Sequence, residues 1–317
     1  MNEFAPIIQI SYNRPNVLRE TLSNLSCCYG VQNHDIFAFV DGPRSDSDVE
    51  KVTENISVLE DFKSSYLPRL TIIKRQFNLG GIQNMCQSIS EILERYGKAI
   101  IIEDDILVAR TFLQYANAGL KFYEKDKRIW AINGYLRSNM KIDSQYPYDI
   151  FLAPRHSAWG WATWKDRWDA VDFKLRDFED FISNNHNQEL FNICGCDMLP
   201  MLKAQFAGKL NTWDVQCTYH MVKNNLYVIR PRKSMTKNNG FGTNCEHCSQ
   251  YVPEFAKQKY YNLLPGFIKD IQTDSGILSR FAGLQNQPCL IMRIMRRMVR
   301  AIRKKYGMVN RHPKDEQ

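Results

Sequence analysis

The first 110 residues alternate short apolar segments with longer amphipathic ones. A short apolar run bounded by polar turn residues is typical of a strand that is buried on both faces. The predicted strands are 6–11, 36–40, 70–74 and 99–102. Between them, apolar positions recur at helical spacing, and the predicted helices are 17–25, 49–62 and 85–93. Strand alternating with helix indicates an α/β fold with a mostly parallel central sheet and right-handed crossovers.

Polar residues lie at or just past the end of each of these four predicted strands. The candidates are Ser11, Tyr12 and Arg14 after the first strand, Asp41 after the second, Asn78 after the third, and Glu103, Asp104 and Asp105 after the fourth. Parallel strands place their carboxyl ends at one edge of the sheet, where open α/β sheets bind ligands. We therefore expect these side chains to meet in one crevice.

The three consecutive carboxylates 103–105 repel each other unless a positive charge neutralises them. Mg²⁺ and Mn²⁺ favour carboxylate oxygens and complete their coordination with substrate phosphates, so the triplet suggests a divalent cation that carries a phosphorylated ligand. The alternative is a strand that ends in solvated acidic residues. The first loop contains neither GxGxxG nor GxxxxGK[ST], which disfavours a dinucleotide-dependent oxidoreductase and a P-loop NTPase.

The pattern changes after residue 111. The predicted elements there are helices 112–124, 200–206 and 215–221 and strands 129–132 and 226–229. Trp159, Gly160 and Trp161 lie at the centre of an aromatic-rich region between these elements. Aromatic rings stack on the apolar faces of sugars and bases, and small residues between rings suit a loop that packs closely on a ligand. The alternative is that the tryptophans form a core under a loop.

Asp214 directly follows Trp213 and is a candidate general base. A neighbouring ring shields a carboxylate from water and raises its pKa, which suits it to accept a proton. The alternative is that Asp214 is the N-cap of the predicted helix 215–221, a position that aspartate prefers.

The segment 237–248 is polar and contains glycines, which suits a cover over a bound phosphate. Lys237 or Arg232 is a candidate to balance the charge of a diphosphate, although solvated cations are the alternative. His247 is a candidate imidazole ligand for the metal at the carboxylates, or else a surface histidine. Cys245 and Cys248 beside His247 also suggest zinc, with Cys194 and Cys196 to complete the ligand set. The Cys-x-Cys spacing of 194 and 196 is not that of a zinc finger.

The chain has 317 residues, a formal net charge of +8 and nine cysteines. The charge indicates an anionic partner, such as a phosphorylated substrate or a membrane surface. No nucleic-acid module is recognisable, so a nucleic acid is not an expected partner. The odd number of cysteines without a regular framework indicates reduced thiols in the cytoplasm. The sequence shows no signal peptide and no apolar run that is long enough for a transmembrane helix.

Residues 251–317 are predicted to be a C-terminal helical extension. Within it, 289–306 combines apolar residues at helical spacing with arginines and lysines on its other faces. Such a helix can lie in an anionic membrane surface, where each cation contributes roughly 1 kcal/mol. This reading places the chain on the inner face of the cell membrane, as a peripheral protein. The alternative is that the apolar face of the helix packs on the main domain.

Glu103-Asp104-Asp105, Trp159-Gly160-Trp161 and Trp213-Asp214 follow one another in an order that is known from one enzyme family. Through them the chain resembles a GT-A glycosyltransferase of the bacterial family-2-like group. It is similar to the branch that contains N-acetylglucosaminyltransferase I, where an EDD triplet precedes a GW-containing segment and a WDDW segment. The resemblance covers about residues 5 to 250.

The resemblance implies a Rossmann-like nucleotide-diphospho-sugar transferase fold over residues 1–250. Residues 1–110 would bind the nucleotide sugar, and residues 111–250 would bind the acceptor. The implied activity is metal-dependent, inverting transfer of a hexosyl or N-acetylhexosaminyl group from a nucleoside diphosphate donor, foremost a UDP-sugar. The implied acceptor is a hydroxyl of a bacterial surface glycan, another saccharide or a glycolipid.

The resemblance also implies roles for individual residues. These are nucleotide contacts for Ser11, Tyr12 and Arg14, a uracil or ribose contact for Asp41, and a ribose or sugar contact for Asp104. Asp105 would hold Mn²⁺ or Mg²⁺ on the donor diphosphate, and Asp214 would deprotonate the acceptor hydroxyl. The sequence departs from the WDDW segment after Asp214, where Val215, Gln216 and Cys217 follow.

Two other functions fit parts of the pattern. A sugar-1-phosphate nucleotidyltransferase also uses acidic metal ligands, but the chain lacks a basic glycine-rich N-terminal loop for a triphosphate. A non-catalytic carbohydrate-binding protein at the membrane would use the tryptophans and the basic helix. It would bind sugar without a metal or a nucleotide.

Overall fold

An eight-stranded sheet forms the centre of the computed structural model, which describes residues 3–241, 252 and 254–284. The strands are β1 (Ile7–Ser11), β2 (Ile36–Val40), β3 (Leu70–Lys74), β4 (Lys98–Glu103), β5 (Ile106–Val108), β6 (Ile129–Asn133), β7 (Ile150–Ala153), β8 (Trp161–Trp164), β9 (Tyr227–Pro231) and β10 (Thr236–Asn238). The helices are α1 (Pro15–Ser26), α2 (Asp46–Ser65), α3 (Gly81–Tyr96), α4 (Phe112–Phe122), α5 (Lys165–Asp169), α6 (Phe178–Ser183), α7 (Asn185–Asn192), α8 (Met198–Phe206), α9 (Asp214–Lys223) and α10 (Ser275–Ala282).

The strand order in the large sheet is β3-β2-β1-β4-β8-β6-β9-β7. Strands β1, β2, β3, β4, β6 and β9 point the same way, whereas β7 and β8 pair antiparallel to their neighbours. The predicted α/β class with a mostly parallel sheet is therefore confirmed. The carboxyl ends of β1 to β4 lie side by side at one edge of the sheet.

Helices cover both faces of this sheet. Buried residues of α1, α2 and α4 join one hydrophobic core, and those of α3, α5 and α9 join a second core. Strand β4 serves both cores, because alternate residues of a strand point to opposite faces. Ile100 and Ile102 pack in the first core, and Ala99 and Ile101 pack in the second. This explains why the apolar run before the carboxylates is continuous.

A small antiparallel sheet of β5 and β10 fixes the chain just beyond the carboxylates. Asn238 lies opposite Ile106, and Thr236 lies opposite Val108. The backbone N–H of Asn239 donates to the Asp105 carbonyl at 2.7 Å. These contacts hold residues 238–241 against the end of β4.

The structure confirms the strands and helices that were predicted before residue 134, with ends shifted by a few residues. It corrects the expectation that Trp161 lies in a loop on a ligand, because Trp161–Trp164 form strand β8 in the middle of the sheet. Strands β5, β7 and β10 were not predicted either. They are three or four residues long, which leaves too little sequence to show a period.

The described part of the predicted C-terminal extension packs against the main sheet. Phe267 stacks on Tyr115 with ring centroids 5.5 Å apart, and Phe281 is fully buried in the second core. Asp274 caps α10 by accepting a hydrogen bond of 2.8 Å from the N–H of Ile277. Residues 254–284 therefore share the hydrophobic cores of the main sheet.

Two predictions concern residues that the structure does not describe. His247 and the predicted basic helix 289–306 lie outside the described residues. Within the described ranges, no helix has the length and apolar character to cross a membrane. The six cysteines in these ranges are free thiols.

Candidate functional site

A cleft of about 580 Å³ opens at the carboxyl ends of β1 to β4. Its lining residues form two groups, which we call walls. The strand-end wall consists of residues 11–14, Asp41, Asn78, Gly80, Gly81 and 103–105, and the aromatic wall consists of Trp159, residues 211–213 and Phe241. The predicted convergence of the four strand ends is thus present in the structure.

Arg14 binds two of the three carboxylates at the end of β4. Its Nε donates to Asp104 Oδ2 at 3.2 Å, its Nη2 donates to Asp104 Oδ1, and its Nη1 donates to Asp105 Oδ2 at 3.1 Å. Burial lowers the pKa of Arg14, but the attraction of both aspartates outweighs this and raises the pKa further above its ordinary value. The guanidinium of Arg14 therefore neutralises part of the negative charge of the triplet, a role that the sequence assigned to a metal ion.

Asp105 is enclosed from the side of β10. Asn238 Nδ2 donates to Asp105 Oδ1 at 3.4 Å. A Cβ on Gly240 would lie 2.3 Å from Asp105 Oδ2, so a larger residue at this position would force the Asp105 side chain to shift. Asn238 and Gly240 belong to the predicted phosphate cover, but their contact with Asp105 was not predicted. It depends on the pairing of β10 with β5.

The surroundings of Glu103 disfavour its charged form. Burial raises the pKa of Glu103 well above its ordinary value, and repulsion from Asp105 and Asp104 raises it further, while Arg14 lowers it. The carboxylate of Asp214 also contributes to the increase. The triplet thus consists of one carboxyl group with a raised pKa and two aspartates paired with Arg14.

Asp41 has a structural role in the strand-end wall. Its carboxylate accepts hydrogen bonds from the N–H groups of Gly42, Leu79 and Gly80 at 2.8–3.0 Å and from Asn78 Nδ2 at 3.3 Å. Four donors use the acceptor positions of a carboxylate. Asp41 lines the cleft and also joins the loop after β3 to the loop after β2, and its expected uracil or ribose contact stays a prediction.

Asn78 and the start of α3 also line the cleft. Asn78 Nδ2 donates to the Gly42 carbonyl at 2.7 Å, so this side chain is also used to hold the loop. Gly80 has a φ of 79°, and a Cβ on Gly80 or Gly81 would meet no atom within 4 Å. The N-terminus of the 16-residue helix α3 is therefore open to the cleft. Helix N-termini favour anions such as phosphate.

The first loop carries two unsatisfied polar atoms. Ser11 Oγ and Asn13 Oδ1 are buried and have no hydrogen-bond partner among the described residues. Tyr12 Oη donates to Asp48 at 2.7 Å and accepts from the N–H of Arg44 at 3.0 Å, which fixes the ring at the mouth of the cleft. Ser11 and Tyr12 were predicted site residues, whereas Asn13, which lies between Tyr12 and Arg14, was not assigned a role.

The tryptophans of the aromatic region separate into two groups. Trp159 is half-buried, lines the cleft and packs on Tyr135 with ring centroids 4.5 Å apart. Trp161 is fully buried and stacks on Trp130 at 5.5 Å, so the structure corrects its assignment to a ligand-binding loop. Gly160 is also buried, and a Cβ there would lie 2.7 Å from Thr236 Cγ2. Its small size serves the packing of the loop rather than contact with a ligand.

Asp214 is the first residue of α9, and Trp213 occupies the N-cap position without a side-chain hydrogen bond. The structure thus does not support the N-cap alternative. Thr212 Oγ1 donates to Asp214 Oδ1, which orients the carboxylate. Thr212 and Trp213 line the cleft directly before it. The sequence did not indicate Thr212, although a hydroxyl two residues before a candidate base is a signal for such a contact.

The oxygen-rich set at Asp104 and Asp105 fits a hard divalent cation, because Mg²⁺ is typically held by one or two carboxylates together with substrate phosphates. In the described part of the chain, no three His, Cys, Asp or Glu side chains are grouped as a metal site. The residues therefore suit a cation that arrives with a phosphorylated ligand.

Arg232 and Lys237, the candidates to balance the charge of a diphosphate, do not line the cleft. Arg232 donates to the carbonyls of Tyr146 and Asp143 at 2.9 and 3.0 Å, outside the cleft. Lys237 lies on β10, and it is its neighbour Asn238 that reaches the cleft. Arg14 is the cation that binds the carboxylates.

No protein-family model matches the chain, and none of the curated proteins matches it. Solved structures of sugar transferases resemble it weakly. The mannosyltransferase PcManGT from Pyrobaculum calidifontis, solved with GDP-Man and Mn²⁺, is 16% identical over 51% of this chain and 44% of its own, with a TM-score of 0.35. This chain thus spans less than half the length of that relative.

Two further structures show the same level of similarity. The galactosyltransferase LgtC, solved with donor and acceptor sugar analogues, is 11% identical over 91% of this chain and 99% of its own, with a TM-score of 0.36. Glucosyl-3-phosphoglycerate synthase from Mycobacterium tuberculosis, solved with Mn²⁺, UDP-glucose and phosphoglyceric acid, is 9% identical over 54% of this chain and 60% of its own, with a TM-score of 0.33. Similarity at this level assigns neither a substrate nor a reaction.

Proposed function

We propose that this chain transfers a glycosyl group from a nucleoside diphosphate sugar to a hydroxyl of a saccharide acceptor. The observation that carries the proposal is the division of one cleft into two chemically distinct walls. The strand-end wall offers groups for a nucleoside diphosphate. The aromatic wall offers ring faces with a carboxylate behind them, which suits a sugar and the deprotonation of its hydroxyl.

On the donor side, the unsatisfied Ser11 Oγ and Asn13 Oδ1 are available to hydrogen-bond a nucleoside. The open N-terminus of α3 and the guanidinium of Arg14 favour the negative charge of a diphosphate. Asp104 and Asp105 would hold Mn²⁺ or Mg²⁺. The cation would supply Lewis-acid stabilisation of the charge that develops on the leaving diphosphate.

On the acceptor side, the face of Trp159 supports an acceptor sugar, and Asp214 is the general base. The acceptor oxygen attacks the anomeric carbon while the bond from that carbon to the diphosphate oxygen breaks. The proton of the hydroxyl passes to a carboxylate oxygen of Asp214, whose orientation Thr212 fixes. Attack from the face opposite the leaving group inverts the anomeric configuration.

Several finer features belong to the same proposal. A UDP-sugar is the expected donor, a hexosyl or N-acetylhexosaminyl group is the expected transferred group, and a bacterial surface glycan is the expected acceptor. The similarity to the N-acetylglucosaminyltransferase I branch, a cytoplasmic location and membrane attachment through 289–306 remain predictions.

The test is a screen of UDP-, GDP- and dTDP-sugars with Mn²⁺, first by thermal stabilisation and then by product analysis. A ligand at 100 times its Kd adds about 2.7 kcal/mol to the free energy of unfolding. We expect release of a nucleoside diphosphate that Asp105→Ala abolishes. Release of pyrophosphate from a nucleoside triphosphate would instead identify a nucleotidyltransferase. Sugar binding that needs neither metal nor nucleotide would identify a carbohydrate-binding protein.

A further inference from the structure

The oxygen atoms that would hold a divalent cation are already in use. Both oxygens of Asp104 and one oxygen of Asp105 accept hydrogen bonds from Arg14, and the remaining Asp105 oxygen faces Asn238 Nδ2 at 3.4 Å. We refer to Asp104 and Asp105 below as the aspartate pair. A cation that enters the cleft therefore competes with the guanidinium for the same ligands.

The geometry of Arg14 makes this competition strong. The side chains of the aspartate pair are 6% and 13% exposed, and that of Arg14 is 22% exposed, so water screens their attraction only in part. A planar guanidinium also binds carboxylates through several parallel hydrogen bonds, which a point charge does not. Displacing it has a cost that any bound cation must offset.

We propose that Arg14 is an internal counterion of the aspartate pair, so that the chain binds a divalent cation weakly by itself and takes it up together with a diphosphate. A diphosphate in the cleft offers Arg14 a new anionic partner when the guanidinium leaves the pair. Only the uptake of the cation together with a diphosphate rests on the proposed function. The competition between Arg14 and the cation concerns the protein and the metal alone.

The test is titration of the full chain with Mn²⁺ alone, in which electron paramagnetic resonance measures the free aqueous ion. Arg14→Gln removes the competing charge and is expected to bind Mn²⁺ at least tenfold more tightly than the unmodified chain. Arg44→Gln is the matched control, because Arg44 lines the same cleft but pairs with Asp48 and Tyr12. It is expected to change the affinity less than twofold.

A second arm adds UDP to each protein. UDP is expected to tighten Mn²⁺ binding more for the unmodified chain than for Arg14→Gln, because only the unmodified chain has a guanidinium to transfer to the diphosphate. If UDP changes nothing in any protein while Arg14→Gln still tightens Mn²⁺ binding, the counterion role stands and a UDP donor does not. The experiment therefore distinguishes a failure of the counterion role of Arg14 from a failure of the proposed donor.

The proposal is overturned if folded Arg14→Gln binds Mn²⁺ as weakly as the unmodified chain or more weakly. It is also overturned if Arg14→Gln binds no Mn²⁺ at millimolar concentration. Circular dichroism establishes whether the variant folds. If it does not, Arg14→Lys replaces it, since an ammonium keeps the charge but cannot bridge both aspartates as the guanidinium does. About threefold tighter binding than the unmodified chain is then expected, and unchanged affinity overturns the proposal.

Discussion

The two walls of the cleft are built in opposite ways. The strand-end wall stands on four adjacent parallel strands, and its polar groups are held by backbone hydrogen bonds and by the ion pairs of Arg14 with Asp104 and Asp105. The aromatic wall comes from loops beside β8, α9 and β10, which are far apart in the sequence. Its rings pack on one another and on a buried aromatic cluster behind them.

This difference separates residues that bind from residues that support. In the strand-end wall, Asp41 has the position of a ligand contact, but its carboxylate accepts hydrogen bonds from the N–H groups of Leu79 and Gly80 in the loop after β3. In the aromatic wall, Trp159 and Trp161 are two residues apart, yet one faces the cleft and the other is in the core. Residue type and position at a strand end are thus not sufficient to assign a contact with a ligand.

The largest expected effect tests the aromatic wall as the place of chemistry. Asp214→Asn is expected to lower the rate of glycosyl transfer about 10²- to 10⁴-fold, because general base catalysis contributes this much. Donor binding, which belongs to the strand-end wall, should not change. The measurements are kcat with a saccharide acceptor and calorimetric titration with the nucleotide. Full transfer by Asp214→Asn would remove the proposed base.

The next effect separates the two tryptophans. Trp161→Ala is expected to lower the free energy of unfolding by about 3–5 kcal/mol, because it leaves a cavity among Trp130, His156 and Trp213. Trp159→Ala should cost less than half as much and instead raise the KM for the acceptor. Urea unfolding and initial rates measure the two quantities. Equal losses of stability would show that both rings are core residues.

A smaller effect is expected from the hydroxyl next to the base. Thr212→Val removes the hydrogen bond to Asp214 while keeping the shape of the side chain. A hydrogen bond to a charged group contributes about 1.5–3 kcal/mol, so kcat should fall at least tenfold while the KM for the donor stays the same. Thr212→Ser should restore kcat. A loss that serine does not rescue would indicate a purely structural role for Thr212.

The smallest effect concerns His156 in the cluster behind the aromatic wall. Burial lowers the pKa of His156 well below its ordinary value, with a smaller contribution from Arg230. The unfolded chain therefore binds a proton below about pH 6.5 that the folded chain does not. Stability is fully present above that pH and is lost as the pH falls, by about 1.4 kcal/mol per pH unit for one proton.

The measurement is urea unfolding between pH 7.5 and 5.5. His156→Phe removes the titrating group and keeps an aromatic ring next to Trp130 and Trp161. The variant should show a smaller loss of stability over this range than the unmodified chain. The same loss in both proteins would mean that other groups account for the acid sensitivity.

Much of the strand-end wall was predictable because its rule is local. A buried parallel strand must end at the ligand edge of the sheet, so the residue that follows it is placed by its position alone. Ser11, Arg14 and the aspartate pair reach the cleft for this reason. The contact of Arg14 with the aspartate pair was not predictable, since it joins the ends of β1 and β4 across 90 residues of sequence.

The sequence by itself determined the α/β alternation, the carboxylates at the end of β4 and the position of Asp214 at the start of a helix. These follow from periodicity and from the polar residues that end each element, which are properties of neighbours in the chain. Only the tertiary structure decided that Arg14 neutralises the aspartate pair, that Gly240 closes on Asp105 and that Trp161 is in the core. Each of these depends on strands that pair across long separations, and no local pattern encodes which strands become neighbours.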